Sequence, residues 1–225
     1  WRVYRETRDS DLVMFNVSSR GAMLGGPLIW LATKSRSRPL MIRLFGGDFA
    51  DVYDRASPGL RWLADRTFLQ SERLLLQTNP LCERFRHHPG TRWFPTTRDM
   101  VPASPASARQ PADRCQRFLF LSQIRMDKGV GEALEAAERL PEGCGLTMYG
   151  APVLDMDMSL LSRYQRTQYG GELPVEDVRQ AFAEHDAFVF PAYCATEGMP
   201  GVILEALQCG LPVIAARWRF VPEIV

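Results

Sequence analysis

Lysine is almost missing from this chain. Of 27 basic side chains only Lys34 and Lys128 are lysines, and the rest are arginines. Net charge is equally scarce: 26 acidic residues leave a formal +1. No global field therefore argues for nucleic acid or an anionic surface as partner. The three histidines, His87, His88 and His185, do not stand at metal-ligand spacing with acidic or thiol partners, so no metal is expected and solvated helix ends account for them. The five cysteines, Cys82, Cys115, Cys144, Cys194 and Cys209, are odd in number and form no C-x-x-C. That argues against a disulfide framework or a zinc site and for the reduced thiols of a cytosolic protein. No apolar run reaches the ~18 residues that span a bilayer, and Trp1-Arg-Val-Tyr-Arg does not resemble a signal peptide. There is no initiating methionine, and the chain stops just after a strand-like run at Pro212 to Ala215. The expectation is a piece cut at both ends.

What is present is ordinary globular composition. With 225 residues, 46% hydrophobic and 24% charged, the chain can bury a core without staples, as one large domain or two small ones. Short apolar runs punctuated by turns predict strands at residues 11–17, 39–45, 74–78 and 91–95, the first and third read as buried. Gly21 to Gly26 reads as a flexible turn, and 27–33 as a short helix with Pro27 in its first turn. Helical patterns follow at 60–70 and from Asn79 to about Arg86. Residues 101–113 hold three prolines and no bulky apolar residue after Val101, a linker composition. The domains are therefore expected at 1–100 and 114–225.

Beyond the linker the alternation begins afresh. Strands are expected at 117–122, 145–150, 187–191 and 212–215, and helices at 128–140, 175–184 and 200–208. Pro200 would open the last helix and Gly210 would end it. Such alternation implies a parallel sheet covered on both faces, with ligands at the carboxyl ends of its strands.

Two loops of this second half carry chemistry. Ser122-Gln-Ile-Arg125-Met-Asp-Lys128-Gly129 brings two cations to a strand end beside a helix N-terminus, which suits a diphosphate. Lys128 supplies a compact point charge for phosphate in a chain that otherwise uses arginine. Glu197-Gly-Met-Pro-Gly-Val-Ile-Leu-Glu205 has glycines, Gly198 and Gly201, that let backbone approach a ligand. Glu205 falls among apolar helix residues and needs partners. On a continuous helix the two glutamates would stand about 12 Å apart. A retaining hydrolase pair needs about 5 Å, so they suit two ends of one extended ligand.

Arg125-Met-Asp-Lys128-Gly129 followed by the E-x7-E of Glu197 and Glu205 resembles the C-terminal half of the family 4 retaining glycosyltransferases. The flanks Asp186-Ala-Phe-Val-Phe-Pro191, Cys209-Gly-Leu-Pro-Val-Ile214 and Pro222-Glu223 extend the resemblance over residues 117–225. It implies an α/β protein of GT-B type, two Rossmann-like domains with parallel sheets, both incomplete here. The first half resembles the family less closely. Phe45-Gly46-Gly47-Asp48 is similar to its H-G-S-D segment, with Phe45 in the histidine's place, and Trp93-Phe-Pro-Thr-Thr-Arg98 is similar to its P-N-G-x-D loop without the Asn-Gly.

The resemblance implies roles. Arg125 and Lys128 would bind the donor diphosphate and steady the leaving group, and removing Lys128 would cost about 3 kcal/mol in the transition state. Glu197 would contact the donor sugar, the backbone of Gly198, Met199, Pro200 and Gly201 would support sugar and phosphate, and Glu205 would hold the ribose. Leu173 would lie near the base. Gly46, Gly47 and Asp48 are acceptor-side candidates; Asp48 could equally cap a helix. The implied chemistry is transfer from a nucleotide sugar to a glycan or lipid-linked acceptor, with retention and without a metal or other cofactor. The implied place is the cytoplasm, with peripheral contact to the inner face of the membrane where acceptors are lipid-linked. No amphipathic basic helix marks such contact. Two alternatives remain. A sugar-nucleotide epimerase of the same fold would need acid/base groups, for which only Asp48 is available in the first half. The other is a non-catalytic nucleotide-sugar-binding remnant. On any of these readings, missing strands would leave the chain as given marginally stable and catalytically poor.

Overall fold

The computed structural model describes residues 5–6, 8, 10–99, 114–154 and 156–225. The linker expected at 101–113 lies outside them. The chain divides into two compact units. One holds the residues up to Thr96 together with Ala195–Met199, and the other holds Thr97–Cys194 and Pro200–Val225.

In the first unit β1 (Val13–Ser18), β2 (Leu40–Phe45), β3 (Arg73–Leu76) and β4 (Thr91–Trp93) form a parallel sheet in that order. The connecting helices are α1 (Ser19–Lys34), α2 (Phe49–Arg55), α3 (Pro58–Arg66) and α4 (Asn79–Arg84). The core lies on one sheet face. Val13, Phe15, Val17, Leu40, Ile42, Leu44, Leu74 and Leu76 meet Ala22, Met23, Phe49, Phe68, Leu81 and Phe85 there. The alternate positions of β1, Met14, Asn16 and Ser18, are exposed, so this strand is half-buried and not the fully buried one expected.

The larger correction concerns α1. Gly21 to Gly26 is not a turn. It lies inside a 16-residue helix that also contains Pro27. Ser18 caps it by accepting from the Gly21 N–H. The glycines serve packing: a Cβ on Gly26 would stand 2.7 Å from the Phe68 ring, and one on Gly21 2.7 Å from Val17. The outer face of α1 carries Leu24, Leu28 and Leu31, all exposed. The helix expected at 60–70 divides into α3 and a 3-10 turn at Phe68–Gln70.

In the second unit β5 (Arg117–Leu121), β6 (Gly145–Tyr149), β7 (Thr167–Tyr169), β8 (Ala187–Phe190) and β9 (Val213–Ala215) form a parallel sheet in the order β7-β6-β5-β8-β9. Five strands replace the four expected. The helices are α5 (Val130–Glu138), α6 (Val178–Glu184) and α7 (Gly201–Gln208). Here both faces are covered. Phe120, Leu146 and Met148 pack on Val130, Ala133, Leu134 and Ala137 of α5. Leu119, Phe188 and Phe190 pack on Ala181, Phe182, Ile203 and Ala206 of α6 and α7. The order is that of a doubly wound, Rossmann-like sheet, whose direction of winding reverses between β5 and β8. Ligands of such sheets bind outside the strand ends at that reversal.

Two histidines depart from expectation. His88 and His185 are buried. His88 Nδ1 accepts from the Gly90 N–H, and burial lowers the His88 pKa. His185 Nδ1 lies 2.6 Å from the Ala181 carbonyl. The five cysteines form no disulfide among the described residues.

Candidate functional site

The loop leaving β5 and the chain leaving β8 meet at the point of reversal. The Tyr193 N–H donates to the Asp127 carbonyl at 3.0 Å, and the Arg125 guanidinium reaches Cys194 Sγ at 3.1 Å. Cys194 is buried, and its own carbonyl accepts from Trp218 Nε1. Met126–Lys128 forms a 3-10 turn. Gly129 then turns the chain with φ 80°, and α5 starts only at Val130. Lys128 therefore stands in the turn before the helix and not in the helix, half-buried.

Arg125 is not a lone cation. Its Nε pairs with Asp127, a bond that raises the Arg125 pKa. For Asp127, burial opposes the charge, but hydrogen bonds from Arg125 and Cys194 outweigh it and hold the carboxyl below its ordinary range. Arg125, Asp127 and Lys128 together carry one net positive charge.

α7 begins at Gly201, with Pro200 as the extended residue before it and not the first helical residue. Glu205 finds its partner in Arg98, which pairs with it while both stay partly exposed. A Cβ on Gly201 would overlap the Arg98 guanidinium, so this glycine makes room for arginine. Leu173 is half-buried and packs on the core beneath β8.

Glu197 does not share a helix with Glu205. It lies, half-buried, in a loop that belongs with the first unit. There Thr196–Met199 meets the turn after β2. The Gly47 N–H donates to the Thr196 carbonyl, and a Cβ on Gly198 would stand 2.9 Å from the carbonyl carbon of Gly46. Asp48 precedes α2 without capping it; its carboxylate accepts from Ser19 Oγ. The structure thus gathers Gly46, Gly47, Asp48 and Glu197–Met199 in one unit, and Arg125, Lys128, Pro200, Gly201, Glu205 and Leu173 in the other. Sequence reasoning passed over Gln77, Thr96, Arg98, Asp127 and Cys194. Gln77 had one signal, a polar residue closing the apolar run Leu74-Leu-Leu.

Comparison with known proteins identifies the second unit. Residues 115–225 match the family model described as Glycosyl transferases group 1. The chain is 30% identical over 107 residues to the sulfoquinovosyl transferase SQD2 of Arabidopsis thaliana, covering 48% of this chain and 20% of that protein. It is 28% identical over 141 residues to the O-antigen chain mannosyltransferase B of Escherichia coli, covering 56% and 36%. The chain thus spans about a fifth and about a third of these two relatives. The solved structure of Anabaena Alr3699/HepE with UDP and glucose superposes with TM-score 0.75 at 18% identity, over 100% of this chain and 64% of that one. The fold of this chain is α/β of GT-B type, two Rossmann-like units each with a parallel sheet. Over residues 115–225 the chain belongs to the group 1 glycosyl transferases.

Proposed function

We propose that this chain serves the transfer of a sugar from a nucleotide-sugar donor to a glycan or lipid-linked acceptor, with the donor's diphosphate held in the second unit. One observation carries the reading: the Arg125–Lys128 turn and the chain leaving β8 interlock at the reversal of a doubly wound sheet, where ligands of such sheets bind. The Anabaena protein captured with UDP and glucose supports a nucleotide-sugar donor. So do relatives named as transferases of a sulfoquinovosyl group and of mannose.

On this reading Lys128 meets the diphosphate and offsets the charge that grows on the departing nucleotide. Arg125, oriented by Asp127 and Cys194, adds a second donor from a fixed direction. Glu205 binds ribose hydroxyls through the carboxylate that Arg98 steadies, Leu173 lies toward the base, and Glu197 addresses the sugar. Transfer proceeds with retention, and protein cations, not a resident metal, balance the diphosphate. Gly46, Gly47 and Asp48 face the acceptor side. The enzyme works in the cytoplasm, and contact with the membrane follows if its acceptor is lipid-linked.

The test is calorimetric titration of the folded chain with UDP, GDP and ADP, beside Lys128→Ala. Binding of one nucleotide that the variant loses supports the donor site and names the base. A folded chain that binds none of the three overturns it.

A further inference from the structure

Gln77 sits just beyond the carboxyl end of β3 with 4% of its surface exposed. Its side chain joins three segments of the first unit. Oε1 accepts from the Gly46 N–H at 2.8 Å. Nε2 donates to Thr96 Oγ1 at 2.8 Å, and that hydroxyl donates onward to the Met199 carbonyl at 2.9 Å. The residue's own carbonyl accepts from Trp93 Nε1.

The relay has one direction. The Gly46 N–H can only donate, so it fixes the amide with its oxygen toward the glycine turn. The amide nitrogen must then donate, and Thr96 must accept it and pass its own hydrogen to Met199, whose carbonyl can only accept. A carboxamide meets the first two demands at once. A carboxylate lacks the donor, and an apolar side chain lacks both. The packing agrees: a Cβ on Gly198 would stand 2.8 Å from Gln77 Oε1. Gly198 is bare because Gln77 lies against it. A second clasp runs beside the first, from the Gly47 N–H to the Thr196 carbonyl.

We infer that Gln77 is a positioning residue for donor-sugar binding. It locks the Glu197–Met199 loop to the Gly46–Gly47 turn, and so sets where the Glu197 carboxylate stands. The inference rests on the donor reading above, which gives Glu197 its task. Thr96 is the second half of the device. Neither side chain needs to touch the donor.

Hydrogen exchange at two amides, with binding of UDP, GDP and ADP against UDP-glucose, GDP-mannose and ADP-glucose, tests this in the chain as it stands. Gln77→Glu keeps the acceptor for Gly46 and loses the donor to Thr96. Thr96→Val cuts the relay one link later and leaves Gln77 in place. Both are expected to speed exchange at Gly47, the amide clasped to Thr196, by about tenfold, the loss of one buried hydrogen bond. Both should leave Gly46 protected. Thr96→Ser, which retains the hydroxyl, should restore Gly47. The same two variants should lower nucleotide-sugar affinity about tenfold while nucleoside diphosphate affinity stays within about twofold. A merely structural role would weaken both ligands together. Unchanged exchange at Gly47, or equal losses for nucleotide and nucleotide sugar, overturns the inference. A wild-type chain that binds no nucleotide overturns it by a separate route: exchange would still respond to Gln77, but the loop would have no sugar to receive.

Discussion

Arg98 pairs with Glu205 while its guanidinium fills the space a side chain on Gly201 would need. A carboxylate one turn into an apolar helix is thereby neutralised from outside the helix. The pair is partly exposed on both sides, so it adds no more than about 1 kcal/mol to stability. Its use is to hold Glu205 in one rotamer. Glu205→Ala is expected to shift the unfolding free energy by less than about 1 kcal/mol and to weaken nucleoside diphosphate binding about tenfold, the loss of a charged hydrogen bond to ribose. Urea unfolding and calorimetry on the same samples measure both. A loss of equal size in Arg98→Ala would place the effect in the ion pair and not in a ribose contact.

Gly129 and Gly131 make a matched pair two residues apart. Gly129 has φ 80°, and a Cβ there would stand 2.5 Å from the Pro191 carbonyl oxygen. The left-handed conformation alone costs a non-glycine residue about 1–2 kcal/mol, and a backbone carbonyl cannot swing away as a side chain can. Gly129→Ala is expected to destabilise by about 2–4 kcal/mol and, by moving Lys128, to lower nucleotide affinity. Gly131 lies inside α5, where a Cβ meets only the flexible end of Met126 at 3.0 Å. Gly131→Ala should be neutral or stabilise by up to about 1 kcal/mol. Comparing their urea midpoints checks both signs at once.

The parallel sheets were legible because their central strands are unbroken apolar runs: Leu74 to Leu76, Phe118 to Leu121, Ala187 to Phe190. The Arg125–Lys128 turn and the Glu197–Glu205 span were legible because their residues lie close in sequence. Gln77 was not. Its partners stand 31 and 19 residues away, and the relay closes over a separation of 103 between Thr96 and Met199. Arg98 and Glu205 are 107 apart. No local pattern encodes such pairs. β7 was missed because Thr167-Gln-Tyr is three residues of mixed polarity. α1 was misread because three glycines and a proline inside 21–27 are locally a turn signal, and only the shape of Phe68 and Val17 beneath them shows why small residues stand there.

That helix yields opposite predictions at adjacent residues. Pro27 lacks the N–H that would bond the Met23 carbonyl, and proline inside a helix costs up to about 3 kcal/mol. Pro27→Ala restores the donor at a half-buried position and is expected to stabilise the first unit by about 1–3 kcal/mol. Gly26→Ala, ordinarily the favourable helix substitution, should destabilise by about 1–3 kcal/mol. Its Cβ would press on Phe68, which is fully buried in the core. The denaturant midpoint of the transition that reports on Trp30 fluorescence distinguishes the two.

Asp186 and Arg117 make the acid limb of stability readable. The Asp186 carboxylate is buried. It accepts from the Gln116 N–H at 3.0 Å, the Arg117 N–H at 2.8 Å and the Arg117 guanidinium at 2.9 Å. The guanidinium hydrogen bonds lead, burial opposes them, the two backbone donors add, and the sum holds the carboxyl far below its ordinary range. A depressed folded pKa means that the group stabilises the fold in full above the unfolded value, about 3.9. That contribution is lost progressively as pH falls below it toward the folded value. Asp186→Ala strands two backbone donors at the start of β5 and should cost about 3 kcal/mol at pH 7. Asp186→Asn keeps one acceptor but no charge, so it should cost less. It should also flatten the fall in stability between about pH 4 and pH 2, where the wild-type carboxylate gives up its share. Urea unfolding across that range, wild type against Asp186→Asn, measures the difference. Parallel slopes would mean that the Asp186 carboxyl is not held below its ordinary range, with the guanidinium, 61% exposed, screened by water.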